Sequence, residues 1–243
     1  MSAYLPELTP WFVCALAVFT GAILQRISGA GFGMIAAPVM ALVAPAWLPG
    51  TVLLLGLVVG LGAIVSTGGA VDRRDLPAGF AGRTLGAIIA AFIAAAVVGT
   101  PALPIIVALI VLFAVALNLA GLHLPITQPA LFGAGAIAGV MGTLTGIGAP
   151  PMAILYSAVE PRRSAATQNT FFGFGMFVSI TTLAFAGLIG LKHIAFALSL
   201  APIVPLALWA ARPLAARVER GSIRPWALGL ATLSAIILLS KNL

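Results

Sequence analysis

Eight apolar runs, at about residues 11–44, 49–70, 80–99, 101–120, 128–158, 165–190, 194–211 and 225–240, follow one another with short polar breaks between them. Such a chain cannot bury its apolar surface in one water-soluble core, because too few polar residues remain to coat it. Charged residues make up 7% of the chain, against roughly 25% in a soluble domain. The predicted fold class is an all-α polytopic membrane protein. At about 20 residues per spanning helix, a chain of 243 residues has short loops and no room for a second soluble domain. The net charge of +7 comes from 12 Lys and Arg against 5 Asp and Glu. These lie scattered in short loops instead of forming one stripe, which excludes a nucleic-acid partner and makes the lipid bilayer the expected surrounding. Glu7, and no Lys or Arg, precedes the first apolar run, so a cleaved signal peptide is not expected. The single Cys14 has no partner for an intrachain disulfide.

Two runs, 11–44 and 128–158, are too long for one ordinary span, and each is interrupted by glycine beside a hydroxyl residue. Two short segments that turn back fit the interruption better than one kinked helix. Charge counting tests that choice. If both long runs turn back and the other six cross once, the loops at 71–83, 120–128, 160–164 and 212–224 share one side. They then hold nine basic residues: Arg73, Arg74, Arg83, Arg162, Arg163, Arg212, Arg217, Arg220 and Arg224. Lys192 and Lys241 fall opposite. By the positive-inside rule this places both termini outside, in the plasma membrane (the inner membrane of a bacterium).

The long runs resemble each other. Ser28-Gly29-Ala30-Gly31 matches Thr145-Gly146-Ile147-Gly148 at an offset of 117, and Pro45 and Thr51 match Pro161 and Thr167 at 116. Each half reads as a glycine-broken hairpin plus three crossings: residues 1–121 form the first membrane repeat and 122–243 the second. That count changes sides an odd number of times, so the second half is expected upside down relative to the first. Inverted repeats of this kind characterise secondary transporters, whose substrate sites lie near the midplane where broken helices meet.

Gly29-Ala30-Gly31-Phe32-Gly33 followed by Pro38, Gly146-Ile147-Gly148 followed by Pro150, and Ala166-Thr167 resemble the sulfite exporter TauE/SafE family. The resemblance covers almost the whole chain. Ala149-Pro150-Pro151 departs from it, standing where the second repeat of the family usually keeps glycine. It implies a small membrane transporter of sulfite, sulfonates or related sulfur-containing anions.

The candidate substrate-binding residues are Arg26, Gln25, Ser28, Gly29, Gly31, Thr145, Gly146, Gly148, Gln168 and Asn169. Arg26 lies inside an apolar run, immediately before the first break, where an arginine needs a partner or an aqueous cavity. Gln25 beside it is placed to orient the guanidinium; snorkelling of Arg26 to an interface is the alternative. The glycines let the backbone unwind and approach a ligand closely, and each half-helix after a break presents unpaired N–H groups and a positive dipole end. Ser28 and Thr145 can donate to anionic oxygens or cap the new half-helix. Gln168 and Asn169, in a neutral polar cluster, donate without adding charge. Their counterparts in the first half are Val52 and Leu53, so the pseudo-symmetry is broken here.

Trp11, Trp47, Trp209 and Trp226 fall near run ends, as an interfacial belt requires. Arg162 and Arg163 read as anchors on the basic side. His123 and His193 read as loop residues with no metal spacing, so neither a metal nor a cofactor is expected. With no buried nucleophile beside a base, the chain is not expected to be an enzyme. The expected function is secondary transport, in the export direction, of a small anion by alternating access between the two broken helices. An anion channel, and a non-transporting assembly or scaffold protein, are the alternatives. Saturation and counterflow separate the first from a carrier, and an inert Arg26 would mark the second. Oligomeric state is left open.

Overall fold

The computed structural model describes residues 4–28, 31–67, 70–217 and 220–242, and these form eleven α-helices. They are α1 (Leu8–Ser28), α2 (Phe32–Val43), α3 (Gly50–Thr67), α4 (Leu76–Val97), α5 (Ala102–Leu119) and α6 (Gln128–Thr145), then α7 (Ala149–Leu155), α8 (Pro161–Phe185), α9 (Leu191–Leu200), α10 (Ile203–Arg217) and α11 (Arg220–Asn242). Four stretches are long and apolar enough to cross a bilayer: Leu8–Ile27, Leu76–Val97, Ala102–Leu119 and Leu191–Pro213. Phe92, Phe185, Leu198 and Leu233 stand exposed on the outer face. Exposed apolar side chains of that size suit a lipid-facing surface.

Both over-long runs break where glycine interrupts them, the first into α1 and α2 and the second into α6 and α7. Each hairpin returns to the end it started from. The Trp47 indole, after α2, donates to the Tyr4 carbonyl at 3.2 Å, just before α1. At the start of α6 the Gln128 amide donates to the Arg74 carbonyl at 3.5 Å. After α7, the Tyr156 hydroxyl donates to the Asp75 carboxylate at 2.6 Å, so both ends of the second hairpin reach the loop between α3 and α4. Helices from the two halves interleave: α4 lies along α6, α10 along α1, α3 against α8, and α5 against α11.

Local chemistry sets the helix starts. Thr127 caps α6 through the Ala130 N–H at 3.3 Å, and Pro129 follows in the first turn, where its missing N–H costs nothing. Glu160 caps α8 by accepting from the Arg162 and Arg163 N–H groups, each at 2.8 Å. Between α9 and α10, Pro202 supplies no N–H and interrupts one crossing into two helices.

The sequence reading is corrected at one stretch and two residues. The stretch 212–224, read as a loop, is helical to Arg217 in α10 and again from Arg220 in α11. Arg83, counted with the loop at 71–83, lies in the second turn of α4 and is 1% exposed. The loop charges Asp72 to Asp75 end just before that helix, and Pro77 in its first turn starts it earlier than the apolar run alone suggests. His193, read as a loop residue, opens α9: it is buried, and its Nδ1 accepts from the Gly190 N–H at 2.9 Å.

Candidate functional site

The two broken hairpins touch at their breaks. Gly146 takes a left-handed conformation (φ 77°) and closes α6 through a bond from its N–H to the Gly142 carbonyl at 2.7 Å. Thr145 donates to the Met141 carbonyl at 2.7 Å and accepts from the Ile147 N–H at 3.1 Å, so its hydroxyl holds the turn. Gly33, in the first turn of α2, packs directly on the Gly146 carbonyl, where any side chain would overlap it. In the first hairpin the chain passes through Gly31 (φ 138°) into α2. The Phe32 N–H there donates to Gln25 Oε1 at 3.3 Å, and Gln25 Nε2 donates to Asn169 Oδ1 at 3.1 Å. Gln25 and Asn169 are fully buried. Gln25 therefore spans its own break and ties it to α8 of the other half.

Beside this junction lies a cavity lined by Arg83, Gly148, Ala149, Met152, Gln168, Phe171 and Phe172. Its volume is about 10 Å³, enough for one ordered water. Arg83 reaches it from α4 and donates from Nη2 to Ser179 Oγ at 3.3 Å. Ser179 in turn shares a 2.7 Å hydrogen bond with Thr143. Arg83 Nε and Nη1 have no hydrogen-bond partner among the described residues, and neither does Gln168 Oε1. No described carboxylate pairs with the guanidinium; the one ion pair among the described residues joins Arg163 to Asp72.

Glycine makes room for this side chain. A Cβ at Gly148 would stand 2.8 Å from Arg83 Nη1, and one at Gly175 2.8 Å from Arg83 Cζ. On α8, Ser164, Gln168, Phe171, Gly175 and Ser179 recur at helical spacing along one buried stripe facing α4 and α6. That stripe continues to one end of the molecule. Gln168 Nε2 donates to Ser164 Oγ at 2.9 Å, and Ser164 Oγ donates to the Tyr156 carbonyl at 3.2 Å. There the Asp72 N–H donates to Thr167 Oγ1 at 3.0 Å and the Asp72 carboxylate pairs with Arg163. Burial and the Asp75 carboxylate push the Tyr156 hydroxyl above its ordinary range, so it stays protonated as the donor.

Among the expected site residues, Gly148 and Gln168 line the cavity, Thr145 and Gly146 form the adjoining turn, and Gln25, Gly31 and Asn169 hold the first break against α8. Ser28 closes α1, while Gly29 and the Ser28 side chain lie outside the described residues. Arg26 is not among the cavity-lining residues. It is partly exposed in the last turn of α1, near enough to Arg212 for the two cations to repel. The reason is length: α1 has 21 residues, and Arg26 stands one residue before the end of its Leu8–Ile27 apolar stretch. The sequence reading missed Arg83, Ser164, Ser179 and Thr143. One signal was present, an arginine between Gly79, Gly82 and Gly86, because glycines at that spacing let another helix approach closely.

No curated protein and no solved structure matches this chain. A family model does: the one described as sulfite exporter TauE/SafE matches residues 13–238. With that match over nearly all of its length, and with its apolar helical architecture, the chain belongs to the TauE/SafE family of sulfite-exporting membrane transporters.

Proposed function

We propose that this protein is a secondary transporter that exports a small sulfur oxyanion or sulfonate by alternating access, with its site at the Arg83 cavity between the broken helices. The observation that carries this reading is Arg83 itself. It is 1% exposed, has two unpartnered donor nitrogens, and has no described carboxylate beside it. A buried charge without a partner is strongly destabilising, and a bound anion supplies the missing partner. Gly148 and Gln168 share the cavity, and the Thr145–Gly146 turn adjoins it. A cavity with room for one water favours a carrier, whose lining must part to admit an anion, over an open channel.

The two halves act as inverted repeats in this reading. Supporting it, the first hairpin has both ends near Tyr4 and Trp47, while the second has both ends at Asp75 and Arg74. The basic loops face the cytoplasm and both termini lie outside. With an inside-negative potential, each negative charge leaving gains about 2.3 kcal/mol per 100 mV, so export needs no coupling ion.

The test is counterflow of radiolabelled sulfite in proteoliposomes, comparing wild type, Arg83→Ala and Arg26→Ala. Saturable exchange in wild type and Arg26→Ala, with at least a hundredfold loss in folded Arg83→Ala, is expected. Unchanged exchange in Arg83→Ala would move the site elsewhere, and loss in Arg26→Ala alone would return it to the first break.

A further inference from the structure

Resting on the anion-transport reading, we propose that the Arg83 cavity selects an oxyanion that is singly charged and still carries one proton. Its anionic oxygens sit against Arg83 and its O–H points to Gln168.

The charge comes from the lining. Arg83 is the one charged residue among those that form the cavity, so it balances a single negative charge. A dianion would enter a buried site with one charge unmatched.

The proton comes from a chain of hydrogen bonds that fixes which way the Gln168 amide faces. Amide oxygen and nitrogen are interchangeable by a flip unless a neighbour decides between them. Here the neighbour is Ser164, which is buried. Its hydroxyl has one proton, and that proton goes to the Tyr156 carbonyl, which can only accept. Ser164 Oγ therefore accepts from Gln168, and the atom facing it is the Nε2 donor at 2.9 Å. This leaves Oε1, an acceptor, as the buried and unsatisfied atom of a side chain lining the cavity. Arg83, which lines the same cavity, has Nε and Nη1 unsatisfied, so the two residues do not satisfy each other. The ligand that completes both presents acceptors to the guanidinium and a donor to the amide oxygen. Hydrogensulfite does this through its hydroxyl tautomer. Sulfate has two charges and no donor. Methanesulfonate has the right charge and no donor, leaving Gln168 Oε1 facing an anionic oxygen. A site built to hydrogen-bond a group discriminates strongly against analogues that lack it.

The test is competition against labelled sulfite counterflow in proteoliposomes, using sulfite, sulfate and methanesulfonate between pH 6 and 8.5, in wild type and Gln168→Leu. In wild type, apparent affinity for total sulfite should follow its hydrogensulfite fraction and fall as pH rises. Methanesulfonate should compete at least tenfold more weakly than hydrogensulfite with no pH dependence, and sulfate not at all. In Gln168→Leu the margin over methanesulfonate, read as a ratio within the exchange the variant retains, should collapse. Sulfite affinity independent of pH, equal competition by sulfate, or an unchanged margin in Gln168→Leu would each overturn the proposal while leaving anion transport standing. If Gln168→Leu does not fold, Gln168→Met is read in its place, and the wild-type pH series decides alone if neither folds. Absence of saturable exchange for any of these anions in wild type would overturn the transport reading and this proposal together.

Discussion

Thr145 sits where the second hairpin reverses, and its hydroxyl is committed in both directions: it donates to Met141 and accepts from Ile147. The sequence left two roles open for it, substrate donor and cap of the new half-helix. The observed bonds brace the turn between α6 and α7, while the N-cap of α7 is Gly148 with no side-chain bond. Removing such a hydroxyl leaves the buried Ile147 N–H without this acceptor, which costs about 1–3 kcal/mol. Thr145→Val, nearly the same shape, should lower the apparent melting temperature in detergent by several degrees while leaving the Km for sulfite within twofold in vesicles that retain folded protein. Thr145→Ser should keep both. A raised Km with unchanged melting would assign the hydroxyl to the substrate instead. Gln25 shows the same economy, since one amide accepts from the start of α2 and donates to α8.

At the scale of elements, the pairing of α4 with α6 decides whether Arg83 can occupy its place. Gly135 and Gly139 on α6 meet the backbone of α4, and Gly142 meets the Arg83 guanidinium. Gly133, on the same helix, has open space where a Cβ would go. Gly142→Ala should therefore displace the guanidinium, costing about 1–3 kcal/mol through overpacking and reducing sulfite counterflow at least tenfold. Gly133→Ala should be neutral or slightly stabilising, because alanine is the better helix former by about 1 kcal/mol. Equal behaviour of the two variants in melting and counterflow would mean that the α4–α6 contact does not set the site.

These elements also show what the sequence could disclose. The breaks at 29–31 and 146–148 were legible because glycine beside a hydroxyl interrupts runs too long for one span. Gln168 and Asn169 were legible as amides in apolar surroundings, and both are buried. Arg83 was not. It follows four loop charges by only eight residues, and hydropathy alone cannot tell a loop arginine from one in the second turn of a helix. Arg26 was read from an apolar run that starts at Trp11, but α1 starts at Leu8 and holds Arg26 in its last turn, outside the cavity lining.

For the whole molecule, the proposed opposition of the two halves rests on how their ends are gathered. One end gathers the loop after α3, the start of α6, the turn after α7 and the start of α8, through Gln128 to Arg74, Tyr156 to Asp75 and Arg163 to Asp72. The other gathers Tyr4, the segment after α2 and the start of α9, through Trp47 to Tyr4 and Thr51 to the His193 carbonyl. Helix α3 runs from the second cluster towards the first. The first end carries Arg73, Arg74, Arg162 and Arg163, and the second carries Lys192, and the proposed orientation, with the first end in the cytoplasm, follows the positive-inside rule. Setting aside Arg83 because it is buried lowers the earlier count of nine to eight against two. Arg212, Arg217, Arg220 and Arg224 are kept in it as residues near the end of α10 and the start of α11, and the direction of the bias is unchanged. Single cysteines at 73, 162 and 192 test this directly, with the buried Cys14 replaced by alanine. In intact cells an impermeant thiol reagent should label Lys192→Cys, and should reach Arg73→Cys and Arg162→Cys only after permeabilisation. Labelling of 73 and 162 from opposite sides would mean that the second long run crosses the membrane once, and the inverted arrangement would fall with it. Labelling of all three from one side would break the orientation of α3 instead.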